Sequence, residues 1–327
     1  MTRGDEFSFP AEAASSGIRL DVFIAERLTD CSRSFAGQLI AGEHVRVNGQ
    51  LRKPAYRLKP GDIVTGCIPP PRPSGFLPEP IPLCILYEDE HIVVINKPPG
   101  LVVHPAPGHY SGTLVNGLLY HCPDLEGIGA ELRPGIVHRL DKDTSGTLVA
   151  AKNSAALEHL ARQFKNRSVT KDYLALVHGD MPGESGTIRL PIGRHPVDRK
   201  RMSAFSRKGR EAETGWLVAR RLGGFTLLEI RLRTGRTHQI RVHCAAIHRP
   251  IVGDPVYGRR RAAADSAAIQ ALLARVRRQM LHAWRLEIDH PHTGERMRFE
   301  SPLPEDMEAL LGALEAQNRV TSYESEL

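Results

Sequence analysis

The chain has 327 residues, 41% hydrophobic and 25% charged, ordinary for a globular protein with room for one large domain and one small one. No apolar run approaches the roughly 18 residues of a membrane span, and the opening Met1-Thr2-Arg3-Gly4-Asp5-Glu6-Phe7 lacks a signal peptide's apolar stretch. The expectation is therefore a cytoplasmic protein, taken as a monomer, with no membrane partner. The net charge of +7 is modest but unevenly spread: seven Lys/Arg and one acid lie between Arg194 and Arg210, and Arg259-Arg260-Arg261 form a second cluster. Clustered cations suit a polyanionic partner, although a basic run alone also fits a solvated face.

In chain order, residues 1–16 are polar and small and read as a flexible tail. Residues 17–68 form a compact unit. Leu20, Val22, Phe23, Ile24 and Leu28 predict a helix, and Ser32 offers an N-cap for a second one ending near Gly42. Val45–Val47 reads as a strand entering an Asn48-Gly49 turn, and Leu58–Val64 as a turn and strand. Seven prolines in residues 69–82 predict an extended linker. Beyond it, Ile85–Tyr87 and Ile92–Asn96 read as a hairpin. Further strands are expected at 146–151, 169–177, 214–219, 225–232 and 281–288, with helices at 154–165, 238–247, 266–276 and 304–314. Strands and helices mix without steady βαβ alternation. This predicts an α+β protein, its domain at 83–315 built on a mixed, mainly antiparallel sheet flanked by helices. Residues 316–327 read as a polar C-terminal tail.

The five cysteines (Cys31, Cys67, Cys84, Cys122, Cys244) include no C-x-x-C pair, and His121-Cys122 has no second ligand pair at zinc spacing. No metal site is expected. The segment His138-Arg139-Leu140-Asp141-Lys142-Asp143-Thr144-Ser145-Gly146 places charges between an apolar approach and an apolar strand, so that Asp141 sits on a loop between rigid elements. Taken alone, it equally fits a charged surface loop. Asp141-Lys142-Asp143-Thr144 also resembles the D-x-D-x-T shape of aspartate-nucleophile phosphatases, with Ser145 at its last position, but Gly253-Asp254-Pro255 supplies no acidic companion for a metal shell.

With three further segments in order, His138–Gly146 resembles the RluA-type pseudouridine synthases. Asn96-Lys97-Pro98-Pro99-Gly100-Leu101-Val102-Val103-His104-Pro105 resembles the family's entry segment. Lys171-Asp172-Tyr173-Leu174-Ala175-Leu176-Val177 is similar to one of its strands. Thr234-Gly235-Arg236-Thr237-His238-Gln239-Ile240-Arg241-Val242-His243, with Gly253–Gly258 behind it, resembles its third motif. The N-terminal unit resembles an S4 RNA-binding domain through Arg19-Leu20-Asp21, Ser32-Arg33-Ser34, Leu39-Ile40, Gly42 and Val45–Gly49. It carries eight Lys/Arg against five acids between residues 17 and 68, which suits phosphate positioning rather than base reading.

The resemblance implies isomerisation of uridine to pseudouridine in RNA, with large-subunit 23S ribosomal RNA, free or in pre-ribosomal particles, as partner. No electrons leave and no group is transferred out, so no cofactor is implied. Asp141 becomes the catalytic carboxylate, kept ionised in a dry pocket by Arg241 on a helix opened by Thr237 as N-cap. Tyr173 becomes the aromatic that stacks on the target base. Arg139 fills the space the flipped uridine leaves. His138, Thr144, Arg236, His238 and Arg33 are assigned to RNA binding or loop orientation. The alternative is a non-catalytic RNA-binding or ribosome-assembly factor on the same scaffold.

Overall fold

A computed structural model describes residues 5–28, 31, 33–69, 77–104, 111–125, 128, 134–198, 201–206, 208–258 and 267–325. The proposed N-cap at Ser32 and the Arg259-Arg260-Arg261 cluster lie outside the described residues. The chain divides into two compact units.

The first unit contains β1 (Asp5–Pro10), α1 (Leu20–Arg27), α2 (Arg33–Ala41), β2 (Val45–Val47) and β3 (Ile63–Ile68). Its three strands are ordered β1-β3-β2 and are antiparallel. The tail expected at residues 1–16 is corrected here, because residues 5–10 pair with all of β3. Phe7 and Phe9 are two residues apart, stack at 5.3 Å and pack on the core of Leu20, Phe23, Ile24, Leu39 and Val64. Polar neighbours on the opposite face disguised that period-2 pattern. Asn48 and Gly49, at φ 49° and 75°, make the expected tight turn.

The second unit is built on one large mixed sheet. Its chain order begins β4 (Ile85–Glu88), β5 (Ile92–Lys97), α3 (Leu114–His121), β6 (Ser145–Ala151), α4 (Ser154–Asn166), β7 (Thr170–His178) and β8 (Ser185–Arg189). It continues with β9 (Gly193–Arg194), β10 (Met202–Ser203), β11 (Glu213–Arg221), β12 (Phe225–Leu232), α5 (Gln239–Ala246) and α6 (Ala267–Arg275). It ends with β13 (Leu281–Asp289), β14 (Arg296–Glu300) and α7 (Glu305–Ser325). The strand order is β4-β5-β6-β13-β7-β12-β11-β8, with β14 also on β13. The β6–β13 pair is parallel, and the other pairings are antiparallel. This is the α+β arrangement expected from the sequence.

Every residue of β6 is buried, so this strand, which leads out of the Asp141 loop, is covered on both faces. The helix α4 is capped by Asn153, whose side chain accepts from the Ala156 N–H at 2.8 Å. Its Ala156 and Leu160 pack with Val149, Ala151 and Leu286.

Two further expectations need correction. The C-terminal tail is helical, because α7 runs to Ser325. No proline interrupts it after Leu314, so the helix seeded by buried Met307, Leu310, Leu311 and Leu314 propagates. The Pro-rich linker lies partly outside the described residues, at 70–76. Its later part is tied to α3, a helix not expected from the sequence: Asn116 Nδ2 donates to Leu77 O at 2.9 Å, and Glu79 N donates to Asn116 O at 3.0 Å. Thr113 and Asn116 form a capping box at the start of α3. Gly117 lets Ile81 approach to within 3.1 Å of where a Cβ would stand.

Candidate active site

The Asp141 loop is clamped from below by two buried cations. Lys97, at the end of β5, has no solvent exposure and donates all three Nζ protons to carbonyls: Pro98 at 2.8 Å, Leu101 at 3.0 Å and Lys142 at 2.9 Å. Burial brings its ammonium down to about 7, against the opposing fields of Asp143 and Asp141. Arg278 donates to the Asp143 carbonyl at 3.1 Å while both Asp306 oxygens hold it at 2.6 Å. Thr144 is buried, its N–H donates to Asp141 O at 3.1 Å, and its hydroxyl accepts from Gln279 Nε2 at 3.3 Å. The loop then enters β6 through Gly146 at φ 114°, where a Cβ would lie 2.2 Å from Ala283 O. Only glycine permits that approach of β6 to β13.

The other wall comes from α5. Thr237 does not cap this helix: His238 occupies the N-cap in the left-handed region at φ 55° and makes no side-chain cap bond. Gln239 fixes the first turn instead. Its Oε1 accepts from Arg236 N at 3.0 Å and Thr234 Oγ1 at 2.8 Å, and its Nε2 donates to Glu213 O and Thr214 Oγ1, both at 2.9 Å. The glutamine at the first helical position thus ties the turn that precedes α5 to β11.

Arg241, one turn along, is 5% exposed. Its Nη1 donates to Asp141 Oδ2 at 3.0 Å, while Nε and Nη2 reach the two Asp254 oxygens at 2.7 and 2.9 Å. The guanidinium also lies 5.1 Å from the centre of the Tyr257 ring. Burial alone would lower the Arg241 pKa, but Asp254 and Asp141 outweigh it and raise the value, so the cation is secure. Asp254 feels the converse balance. Burial pushes it up, and Arg241 with the Tyr257 and Val256 N–H groups holds it below the usual carboxylate value.

These elements enclose an open cavity of about 560 Å³ lined by Asp141, Tyr173, Arg241, Arg139, Thr144, Arg236 and His238. Seven of the residues expected at the site are thus together. Tyr173 projects from β7 opposite Ile230 of β12. Burial raises its pKa, and Asp141 adds to the rise, so the phenol keeps its proton. Arg139 is exposed at the rim. Arg236 donates to Glu211 O at 3.2 Å, and burial lowers its pKa with help from Arg210 and Arg167. His238 Nδ1 lies 2.9 Å from Tyr257 Oη, with Nε2 3.9 Å from Asp141 Oδ1. Burial lowers its pKa against the pull of Asp141, which favours a neutral ring.

Two expected residues lie elsewhere. His138 does not line the cavity: Nε2 accepts from Val149 N at 3.0 Å, and the ring stacks on Phe164 at 4.6 Å, contacts that orient the loop. Burial, with Lys171 adding to it, drives its pKa down to about 3, keeping it an acceptor. Its place beside Asp141 in sequence gave no warning that its side chain turns to the α4 side. Arg33 belongs to the first unit, where its Nε donates to Asp21 Oδ2 at 3.1 Å.

Sequence reasoning assigned no role to Lys97, Asp254 or Tyr257, though all three fall in motifs it singled out. A buried lysine and an aspartate behind a positive-φ glycine (Gly253, φ 75°) were the available signals. Elsewhere, folding brings Glu88 to His121 and Cys122, a grouping that sequence spacing did not reveal. Glu88 is already engaged by His121 Nε2 at 2.8 Å and Lys152 Nζ at 2.7 Å.

Residues 91–246 match the RNA pseudouridylate synthase family, and residues 18–64 match the S4 domain. An uncharacterized RNA pseudouridine synthase of Bacillus subtilis (strain 168) is 47% identical over 94% of this chain and 97% of its own length. A ribosomal large subunit pseudouridine synthase D of Zymomonas mobilis (strain ATCC 31821 / ZM4 / CP4) is 45% identical over 93% of this chain and 96% of its own. The chain belongs to the RNA pseudouridine synthase family. It is of the RluA type with an S4 domain, and it is an isomerase. The human RNA pseudouridylate synthase domain containing 4 shares its fold, with a TM-score of 0.57 and 27% identity over 71% of this chain and 92% of that one. Among the described residues of this synthase, no helix is long and apolar enough to cross a membrane.

Proposed function

We propose that this pseudouridine synthase isomerises uridine in the 23S RNA of the large ribosomal subunit, with Asp141 as the catalytic carboxylate. The observation that carries the role of Asp141 is its geometry. It stands in the wall of the cavity, 3.0 Å from a buried arginine that Asp254 locks from behind. The large-subunit target is supported by relatives named ribosomal large subunit pseudouridine synthase D in Zymomonas mobilis and Nitrosomonas europaea, each 45% identical.

The reaction breaks the N1–C1′ bond, turns the uracil and rejoins it through C5, and the C5 proton passes to solvent or to N1. Positive charge at C1′ develops toward an oxocarbenium ion, which a nearby carboxylate stabilises. Asp141 serves that charge either by adding to the sugar or by removing a sugar proton. Arg241 holds the carboxylate in place. Protonated Tyr173 offers a flat surface for the turning base and a phenol near C5. A uridine must leave its stack to enter, at a cost of a few kcal/mol, and Arg139 at the rim is placed to occupy the gap. Half-buried Arg19 and exposed Arg33 of the S4 unit contribute phosphate contacts.

The test incubates purified protein and EDTA with protein-free 23S RNA, 16S RNA and transfer RNA, followed by chemical mapping of pseudouridine. Product at discrete positions of 23S RNA is expected. Product confined to another RNA would overturn the substrate, and tight binding without product from wild-type protein would favour a non-catalytic assembly factor.

A further inference from the structure

A second groove, of about 1120 Å³ and open to solvent, lies in the catalytic unit between the β9–β10 hairpin and α5. Tyr257 lines this groove and also contacts the catalytic site, through His238 at 2.9 Å and the Arg241 guanidinium. On the groove side its hydroxyl accepts from Met202 N at 2.8 Å. One tyrosine thus ties the hairpin to the machinery around Asp141.

The hairpin is anchored, yet it displays apolar groups. Ala204 is buried with Ile192, Val242 and Tyr257, and Met202 packs on them. Phe205, the next residue, is 82% exposed, although its N–H is fixed by Ser203 Oγ at 3.1 Å. An exposed phenylalanine that lines the groove with Ala245, Ala246 and Pro250 is a surface on which a base can stack. The polar groups of the groove suit an anion. Arg201 lines it, and its Nε is buried with no hydrogen-bond partner among the described residues. His195 accepts from Val197 N at 3.3 Å and Asp198 N at 3.1 Å through Nδ1, which puts its proton on Nε2 as a donor. In sequence, the stretch from Arg194 to Arg210 that contains these residues carries seven Lys/Arg against one acid.

We infer that this groove binds a second unpaired nucleotide of the substrate RNA, its base stacked on Phe205 and its phosphate held by Arg201 and His195. The inference rests on the reading of the chain as an enzyme acting on structured RNA. Apolar walls with a guanidinium donor that has no hydrogen-bond partner among the described residues match a nucleotide better than an apolar peptide, which leaves the Arg201 Nε unpaired. Occupancy beside Tyr257 also gives the enzyme a way to recognise loop shape at a nucleotide other than the one it isomerises.

Full-length protein carrying p-benzoylphenylalanine at position 205 is to be irradiated on large-subunit RNA, with the adduct mapped beside the pseudouridine. One crosslinked nucleotide, distinct from the isomerised uridine, is expected. Phe205→Ala should weaken RNA affinity at least fivefold while the single-turnover rate at saturating RNA holds, with Phe205→Trp restoring affinity and Phe205→Leu failing to. Unchanged affinity for Phe205→Ala, rescue by leucine, or adducts scattered over many nucleotides overturns the groove assignment alone when the wild type still makes pseudouridine. A groove meant for a protein segment predicts the same unchanged affinity. No pseudouridine from wild-type protein overturns the functional reading and the groove with it.

Discussion

The two units each contain an arginine–aspartate cluster, and the two are built inside out from one another. In the S4 unit the acid is hidden and the cations face water: the Asp21 side chain is 7% exposed, and those of Arg19 and Arg33 are 37% and 60% exposed. In the catalytic unit the cation is hidden, with Arg241 at 6%, and one of its two acids, Asp141, faces the cavity at 17%. In the proposed function the first arrangement presents positive charge to a phosphate backbone, where counterion release rewards it. The second presents a single negative charge to a sugar, with its arginine holding that charge still. On that proposal the same ion pair serves affinity or chemistry according to which partner is buried.

Substitutions that reverse or loosen each cluster should separate these roles. Among substitutions that leave Asp141 itself intact, the largest effect is expected for Arg241→Lys, which cannot reach Asp141 and both Asp254 oxygens together. The single-turnover rate should fall about 10²–10³-fold, or about 2.7–4 kcal/mol, with RNA affinity nearly unchanged. Asp254→Asn leaves Asp141 in place but removes a charged partner from Arg241. A fall of about 10–100-fold in the same rate, again without loss of affinity, matches the worth of a charge-assisted hydrogen bond of about 1.5–3 kcal/mol. If affinity falls and rate does not, Asp254 is a binding group and the contrast between the clusters collapses.

Arg33→Ala should do the opposite. Affinity should weaken several-fold, and the slope of log K against log salt should flatten by about 0.7–0.9, while the saturated rate stays constant. An unaltered slope would remove Arg33 from the RNA contacts. The smallest effect concerns acid stability. Arg19, with Arg33, holds the Asp21 carboxyl at about 2 against the opposing pull of burial, below its ordinary 3.8. A lowered folded-state pKa means that the stabilisation is complete above the ordinary value and is lost as pH falls toward 2. The difference in urea midpoint between wild type and Asp21→Asn should accordingly be steady at pH 5 to 7 and shrink between pH 4 and 2.

Much of this was readable in the sequence. The core strands were visible because Ile92–Asn96, Phe225–Leu232 and Leu281–Ile288 are dense in β-branched and aliphatic residues, and the apolar stripe of Leu157, Leu160, Ala161 and Phe164 marked α4. Residues with few alternatives inside a motif, such as Tyr173 and Arg241, do line the cavity. What failed depended on partners distant in sequence. The strand β1 is a strand because β3, more than fifty residues on, supplies its hydrogen bonds. Lys97 matters because the Lys142 carbonyl folds over its ammonium. Thr237 yields the start of α5 to Gln239 because Thr214 and Glu213 of β11 lie within reach of a longer side chain. No local pattern records these meetings.

The most direct test of the central claim is single-turnover pseudouridine formation on 23S RNA by Asp141→Asn, an isosteric change that keeps a hydrogen-bond acceptor for Arg241. RNA affinity should remain within about threefold of wild type while the rate falls by about 10³-fold or more, at least 4 kcal/mol of transition-state stabilisation. A variant that still isomerises uridine within tenfold of the wild-type rate would contradict the assignment of Asp141 as the catalytic carboxylate.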